Sequence, residues 1–486
     1  MQISASERQS ARMGLLFGYL LGPPLNQPLF STLKLKPELE SNLESLGFKT
    51  MTPIQAQSLP LILNNQDVIG QAKTGSGKTA AFGLGLLQKL DVKRFRIQSL
   101  VLCPTRELAD QVANDIRRLG RGIHNIKVLT LCGGMPFGPQ LGSLEHGAHI
   151  IVGTPGRVEE HVRKGSLRLE DVNMLILDEA DRMLDMGFQE ALDAIIGEVP
   201  DQRQTLLFSA TFAPQIKKIA ARIMISPQMI EVASTHDELT IEQKFFQVTD
   251  HDDRLLVLKL VLARYQPEST IVFCNTKKET DEVADALFSQ GYSAIALHGD
   301  LEQWQRDQVL VRFANKSTSI LIATDVAARG LDIDLLDAVV NFHIAREREV
   351  HTHRVGRTGR AGSKGLAMSF FSAQEAHRVA LLDLEIDPIA DAETRPDAEY
   401  LKEAALVPKM STLQIDGGKK QKVRPGDILG ALTGNDGLAG TDVGKIHIYD
   451  NCAYVAVRRK VASQALQIIS EGKLKGRSFR VRAVKG

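Results

Sequence analysis

The sequence predicts an α/β protein: two tandem doubly wound lobes, each built on a parallel sheet, followed by a small β-α-β-β-α-β domain. Three observations carry this. Short, continuous apolar runs alternate with helical stretches from Phe30 to Phe371, as parallel strands covered on both faces require. One junction, Ala72–Thr79 (Ala-Lys-Thr-Gly-Ser-Gly-Lys-Thr), is a glycine-rich turn between an apolar run and a helix-like run. After an acidic, proline-containing stretch, residues 411–486 change pattern and carry 14 Lys and Arg against 6 Asp and Glu. That segment is +8 and the remainder −7, in a chain of net charge +1. A basic module on an acidic body points to an acidic partner such as nucleic acid, although a solvated basic face is common in so small a domain.

A chain of 486 residues has room for two to four domains, and 43% apolar with 24% charged residues is ordinary globular composition. No apolar run approaches the length of a membrane span. Cys103, Cys132, Cys274 and Cys452 show no metal-ligand spacing. Cys103 and Cys274 fall inside strand-like runs, so the expectation is buried thiols in a reducing cytoplasm. Residues 1–28 read as a disordered extension. Arg8, Arg12 and Met13–Leu21 loosely imitate a signal peptide, but a small-residue cleavage site is missing and Pro23-Pro24 ends the run.

In order, residues 29–232 form the first lobe, with strands expected at Asp67–Gln71, Ser99–Cys103, Val128–Cys132, Ile150–Val152, Met174–Leu177 and Thr205–Phe208. Residues 233–244 read as a linker. The second lobe, 245–382, has expected strands at Thr270–Cys274, Ala294–Leu297, Ile320–Ala323, Ala338–Phe342 and Leu366–Phe371. Residues 383–410 read as an acidic connector. In 411–486, strands are expected at Leu413–Ile415, Ile446–Tyr449, Tyr454–Val457 and Ser478–Val484, and helices at Pro425–Leu432 and Val461–Ser470, an order found in RNA-recognition motifs.

The chemistry starts at Ala72, Lys73, Thr74, Gly75, Ser76, Gly77, Lys78 and Thr79. Gly75 and Gly77 let consecutive N–H groups converge on one anion, and the following helix adds its positive end. Lys78 can reach β- and γ-phosphates and Thr79 can ligate Mg2+. Ala72 stands where the usual pattern has glycine, so a plain glycine-rich surface turn is the competing reading. Asp178-Glu179-Ala180-Asp181 closes the run Met174–Leu177. Asp178 can hold Mg2+ and Glu179 can orient and deprotonate a water; acids that merely open the next helix would look similar. Thr105 and Thr154 follow strands and can cap helices, and a capped helix end is also a phosphate site.

These motifs, with others, make residues 30–375 resemble a DEAD-box RNA helicase. Phe30, Gly47-Phe48 and Thr52-Pro53-Ile54-Gln55 resemble the family's adenine-reading segment: Phe30 would stack on the base and Gln55 would read its edge. Ala72 is what this family uses at that position. Further matches are Pro104–Leu108, Gly133-Gly134, Thr154–Arg157, Ser209-Ala210-Thr211, Ala323–Ile333 and His353–Gly362. The resemblance implies two RecA-like lobes using ATP and Mg2+, with Lys78, Asp178, Glu179, Arg357 and Arg360 catalytic. Arg357 and Arg360, three residues apart and able to share a helix face, would be arginine fingers. Asp332 would contact the ribose, and Ser209, Thr211 and His353 would couple phosphate state to lobe closure. Thr105, Arg106, Gly134, Thr154, Gly156 and Arg157 would hold RNA in the first lobe; Thr276, Gly299, Arg306 and Thr324 would do so in the second. Trp304, the single tryptophan, is expected to pack on a helix face, with stacking on a nucleobase as the alternative.

Leu413–Lys485 resembles the RNA-binding domain of the DbpA-type branch, through Ile415–Lys420, Arg424–Leu432 and Tyr454–Arg458. Its third strand has Tyr454 but lacks the aromatic pair that stacks bases in ordinary RNA-recognition motifs. Lys419, Lys420, Lys422, Arg424, Arg458, Arg459 and Lys460 offer an electrostatic edge instead. The branch implies a cytoplasmic, monomeric enzyme that acts on a hairpin of large-subunit ribosomal RNA in pre-ribosomal particles. The competing readings are an ATP-dependent RNA clamp with little turnover and, third, a DNA helicase.

Overall fold

In a parallel strand buried on both sides, alternate side chains enter two different cores. That is the arrangement in the computed structural model, which describes residues 28–72, 75–232, 241–328, 336–359, 365–382, 384, 387, 389–434 and 437–484. The extension 1–27, Lys73, Thr74, Asp332, Arg360 and residues 233–240 of the expected linker lie outside the described residues. The first unit carries β1 (Val68–Gln71), β2 (Ser99–Leu102), β3 (Val128–Leu131), β4 (Ile150–Gly153), β5 (Met174–Asp178), β6 (Gln204–Ser209) and β7 (Gln228–Glu231). All pair in parallel, in the order β3-β4-β2-β5-β6-β1-β7. Val68, Val101, Ile176 and Phe208 fill the core on one face; Ile69, Leu100, Leu177 and Leu207 fill the other. Edge strand β7 escapes the sequence pattern because only Ile230 of its four residues is buried.

The second unit begins with β8 (Ile241–Gln247), then β9 (Thr270–Cys274), β10 (Ala294–Leu297), β11 (Ile320–Thr324), β12 (Ala338–Asn341) and β13 (Gly365–Phe371). Their order is β10-β11-β9-β12-β13-β8, again parallel. Strand β8 starts inside the stretch read as linker, since Ile241–Lys244 pair with Gly365–Met368. Read by position, β9, β10, β11, β12, β13 and β8 repeat the places of β2, β3, β4, β5, β6 and β1, so the two sheets share one topology.

The C-terminal sheet is antiparallel, β15-β16-β14-β17, with β14 (Met410–Ile415), β15 (Val443–Ile448), β16 (Ala453–Arg458) and β17 (Val481–Ala483). Helices Pro425–Thr433 and Ala462–Glu471 cover one face through Ile428, Leu432, Ala465 and Ile469, against Leu413, Ile415, Val455 and Val457. The opposite face is not open to solvent at its centre. Thr412, Gln414, Tyr454 and Ala456 are all buried. Helix Gln303–Ala314 and the residues after it lie against them. Asn315 Nδ2 donates to Thr412 Oγ1 at 3.0 Å, Thr412 and Ser317 hydroxyls meet at 2.7 Å, and Gln308 Nε2 donates to Gln414 Oε1 at 3.4 Å. The described part of the acidic connector is fastened to the same lobe. Arg395 forms a bidentate pair with Asp253, Lys244 pairs with Glu393, Arg264 lies 4.9 Å over the Tyr400 ring, and Gln266 donates to Glu403.

Candidate functional site

The first lobe gathers its phosphate-type residues at the carboxyl ends of three adjacent strands, β5, β6 and β1, where open α/β sheets hold ligands. After β1 the chain turns through Gly75 (φ +82°) and Gly77 (φ +95°) into helix Lys78–Lys89. Gly77 has no substitute: a Cβ there would lie 2.4 Å from Gln55 Nε2 and 2.9 Å from Thr52 Oγ1. Those two side chains fasten the loop. Gln55 Nε2 donates to Gly77 O at 3.1 Å, its Oε1 accepts from Thr52 N at 2.9 Å, and Thr52 Oγ1 donates to Ser76 O at 2.8 Å.

Gln55, expected to read an adenine edge, also holds the loop. It is 2% exposed, and these bonds use one N–H and one lone pair of its amide, leaving a second of each. Phe30 is likewise buried, edge-on to Phe48 at 6.1 Å, rather than presented as an open stacking surface. Lys78 is buried and its Nζ donates to Ala72 O at 2.9 Å, so the loop's own carbonyl occupies the ammonium. Ala72 N in turn donates to Ser209 O at 3.1 Å, joining the loop to the end of β6.

Asp178, at the end of β5, is 3% exposed. Burial pushes its carboxyl up to about 6; Lys78 opposes this and Glu179 adds to it. Glu179 is held at φ +51°, a left-handed conformation rare outside glycine and costing on the order of 1–2 kcal/mol. No sequence pattern announces it. Also unanticipated is the part played by Asp181: its Oδ2 accepts from both Thr211 N and Thr211 Oγ1 at 3.1 Å. Ser209 is buried with an unpartnered hydroxyl, and so is the Oγ of Ser76.

These residues fit a nucleotide triphosphate with Mg2+. The glycine cradle leaves no room for a Cβ, the buried hydroxyl of Ser76 lacks a partner, and Thr79 with Asp178 is an all-oxygen donor pair. Among the described residues no three His, Cys, Asp or Glu side chains cluster as a protein-only metal site.

Three neighbouring strands of the same sheet, β3, β4 and β2, lead into the residues expected to contact RNA. Thr105 accepts from Leu108 N at 3.3 Å and caps helix Arg106–Leu119; Arg106 lies 3.6 Å from Asp110. Thr154 does not cap its helix with its side chain. Its Oγ1 accepts from Gly133 N at 3.3 Å, tying the end of β4 to the loop after β3. Arg157 donates to Met135 O at 2.8 Å and pairs with Glu160 at 3.0 Å, bracing the loop that holds Gly134 (φ +73°). Gly156 is exposed beside it.

The second lobe repeats the plan. Thr276, Gly299 and Thr324 follow or end β9, β10 and β11, the positional equivalents of β2, β3 and β4. Thr276 caps helix Lys277–Phe288 by accepting from Glu279 N at 3.2 Å. A Cβ on Gly299 would lie 3.7 Å from Lys277 Cε, and Arg306 lies in helix Gln303–Ala314. His353 is in the last turn of helix Arg348–Val355. Arg357 lies beyond that helix. Thr358 Oγ1 bonds Leu336 O and Gly359 turns at φ +71°. Arg354, unremarked in the sequence, is 3% exposed and bidentate to Asp325 at 2.7 Å, with further bonds to Asn341 Oδ1 and His343 O.

In the C-terminal domain the basic residues do not form one edge. Lys419 and Lys420 lie in a turn hydrogen-bonded to Tyr449 O and Asp450 O, and Arg424 stands at the start of the next helix, its backbone N donating to Asp427 Oδ2 at 2.8 Å. Arg458 is at the far end of β16, pairing in register with Met410, 3.3 Å from Asp442, with Arg459 next to it. Six-residue strands separate the two clusters by roughly 17 Å.

Comparison with known proteins matches this anatomy. The DEAD/DEAH box helicase family model matches residues 52–219, the helicase conserved C-terminal domain 251–362 and the DbpA RNA binding domain 412–483. The ATP-dependent RNA helicase DbpA of Escherichia coli (strain K12) is 54% identical over 457 residues, covering 94% of this chain and 99% of that one. The chain belongs to the DEAD-box ATP-dependent RNA helicases of the DbpA type. The DbpA of Bacillus subtilis (strain 168) is 37% identical, with 93% and 98% coverage. The S. cerevisiae Dbp5 structure bound to RNA and ADP BeF3 aligns with TM-score 0.67 and 30% identity, covering 76% of this chain and 95% of that one. Family membership makes the chain an RNA-dependent ATPase and helicase with a dedicated RNA-binding domain. No helix among the described residues is long and apolar enough to cross a membrane.

Proposed function

We propose that this helicase unwinds short RNA duplexes locally, beside a hairpin of large-subunit ribosomal RNA, in pre-ribosomal particles of the cytoplasm, and works as a monomer. The observation that carries the target is the C-terminal match to the DbpA RNA binding domain, on a module with two basic clusters. The lobes supply no comparable reader. Their candidate contacts are helix caps, glycines and braced arginines, suited to phosphates that carry no sequence information.

In the proposed cycle Lys78 leaves Ala72 O for the phosphates, and the N–H groups of Gly75–Thr79 take the phosphate oxygens. Thr79 and Asp178 would hold Mg2+, which would supply neutralisation of the triphosphate charge. Glu179 orients and deprotonates the attacking water. Arg357 and Arg360 serve as arginine fingers, and Asp332 holds the ribose. Lys73 and Thr74 complete the loop. The strap Asp181–Thr211 beside Ser209 is the element through which the first lobe senses phosphate release, and His353 belongs to its counterpart in the second. Lys419, Lys420 and Arg424 hold the hairpin, with Arg458 and Arg459 as a second electrostatic contact.

The test is phosphate release by the full chain at limiting RNA, with the ribosomal hairpin, an unrelated hairpin of equal length, and DNA of the same sequence. The ribosomal hairpin should half-saturate the ATPase at a far lower concentration than the unrelated one, and DNA should stimulate little. Equal half-saturation by both hairpins would remove the ribosomal target.

A further inference from the structure

The sequence reading put Trp304 on a packed helix face. In the structure it is 63% exposed, in the first turn of helix Gln303–Ala314. Its position has three properties. It lies one turn before Gln308 and eleven residues before Asn315, so the three share one stripe of the helix. Gln308 and Asn315 are the residues that meet Gln414 and Thr412 of the C-terminal sheet. From Asn315 to Gln308 the contact moves along β14 from Thr412 to Gln414. Trp304, about 6 Å further along the helix, therefore stands toward the strand end that leads into Lys419 and Lys420.

The same helix start follows β10 and the Gly299 loop. It therefore also adjoins the strand-end row Thr276, Gly299 and Thr324, where Lys277, half exposed, pairs with Asp300. Val326, 56% exposed, follows Thr324 on that row. A row of phosphate-type groups with a bare indole at its margin is the composition of a single-strand track: charge follows the backbone and an aromatic plane takes a base. The indole belongs to neither adjoining core cluster.

We propose that Trp304 is a base-stacking platform for single-stranded RNA passing from the strand-end row of the second lobe to the Lys419–Lys420 end of the C-terminal domain. This rests on the RNA reading above and adds a residue that contacts a nucleobase where all other lobe contacts address the backbone. A tryptophan face accepts any base, so it strengthens binding without adding sequence preference, and purines gain most.

Trp304 is the only tryptophan in the chain, so emission excited at the red edge of indole absorption, where the six tyrosines do not absorb, reports this position alone. The experiment titrates the full-length protein with a short oligoadenylate and with an abasic ribose-phosphate oligomer of equal length, following emission and, in parallel, anisotropy of end-labelled strands. Oligoadenylate should quench the emission on the same curve as its anisotropy, while the abasic strand binds without comparable quenching. Trp304→Ala should weaken oligoadenylate binding about tenfold and Trp304→Phe much less; the exposed position makes both variants safe for folding. Unchanged emission while anisotropy reports binding, or Trp304→Ala binding as tightly as the parent, overturns the proposal. If no labelled RNA binds and RNA fails to stimulate the parent's ATPase, the RNA reading itself falls and this proposal with it.

Discussion

Removing one hydroxyl should release the C-terminal domain from the second lobe. The substitution is Thr412→Val, which keeps the shape of a residue 1% exposed in the seam. Ser317 Oγ donates its hydrogen to Arg312 O at 2.9 Å. At the 2.7 Å contact Thr412 must then be the donor, and it accepts from Asn315 Nδ2. The bonds form a relay, Asn315 to Thr412 to Ser317 to Arg312, and the valine breaks two links. Loss of the Ser317 link costs about 1 kcal/mol, because Ser317 keeps its other partner. Loss of the Asn315 link costs about 1–3 kcal/mol, because Asn315 is buried and its Oδ1 already lacks a partner. Of the other polar contacts, Gln308–Gln414 is long, Lys409–Glu268 is an exposed pair, and Tyr454 bonds Gln308. A total of about 2–4 kcal/mol lowers the docking constant roughly 30- to 900-fold. Single-molecule transfer between dyes on the second lobe and on helix Ala462–Glu471 reads the change directly. The parent should give one narrow population and Thr412→Val a broad, low-transfer one. Thr433→Val, the same chemical change on a helix away from the seam, should match the parent. If the Thr412→Val distribution superimposes on the parent's, the relay does not hold the domain.

Glu179→Gln should bind ATP and RNA but lose hydrolysis by at least a hundredfold, trapping an RNA-bound state in a filter assay; normal turnover would remove Glu179 from the chemistry. In the second lobe, His343 Nε2 lies 2.6 Å from Glu279 Oε1, and Glu375 sits at its other nitrogen beside Arg254. Burial alone would lower the His343 value, but hydrogen bonds to Glu279 and Glu375 carry it above the usual imidazole range. A raised histidine stabilises the fold fully below about pH 6.5 and loses this as pH rises through its folded value. Glu279 and Glu375 are depressed despite burial, by His343 first, so their contribution is present above about pH 4.3 and fades below it. Urea midpoints of the parent should therefore fall between pH 6 and 9, and His343→Gln should flatten that decline.

The parallel sheets were legible because both faces are buried, which writes each strand as an unbroken apolar run. Two of the four edge strands escaped for the converse reason: β7 buries one residue of four, and β8 reads Ile-Glu-Gln-Lys before its phenylalanines. The phosphate loop and Asp178-Glu179 were legible because their chemistry lies in consecutive residues. Contacts between distant segments were not. Asp181 and Thr211 are thirty residues apart, Arg354 and Asp325 twenty-nine, and neither spacing has a local signature. Only packing reveals that Gln55 and Phe30 are both covered and that Gln55 is bonded to the phosphate loop. The seam was invisible because Thr412, Gln414 and Tyr454 alternate with apolar residues, the pattern of a strand with one wet face; here a second domain covers that face.

A basic module on a long connector suggests a leash, which works by raising the local concentration of whatever the module holds. Docking by the relay, with the connector pinned at Glu393, Arg395 and Tyr400, makes it a jig instead. A leash tolerates any spacing in its substrate; a jig holds one point of the RNA at a set offset and rotation from the lobe that grips the next. Lengthening the helical spacer between hairpin and duplex would then turn the duplex about its own axis as well as move it away. Activity would vary with the helical phase of the spacer, not only with its length.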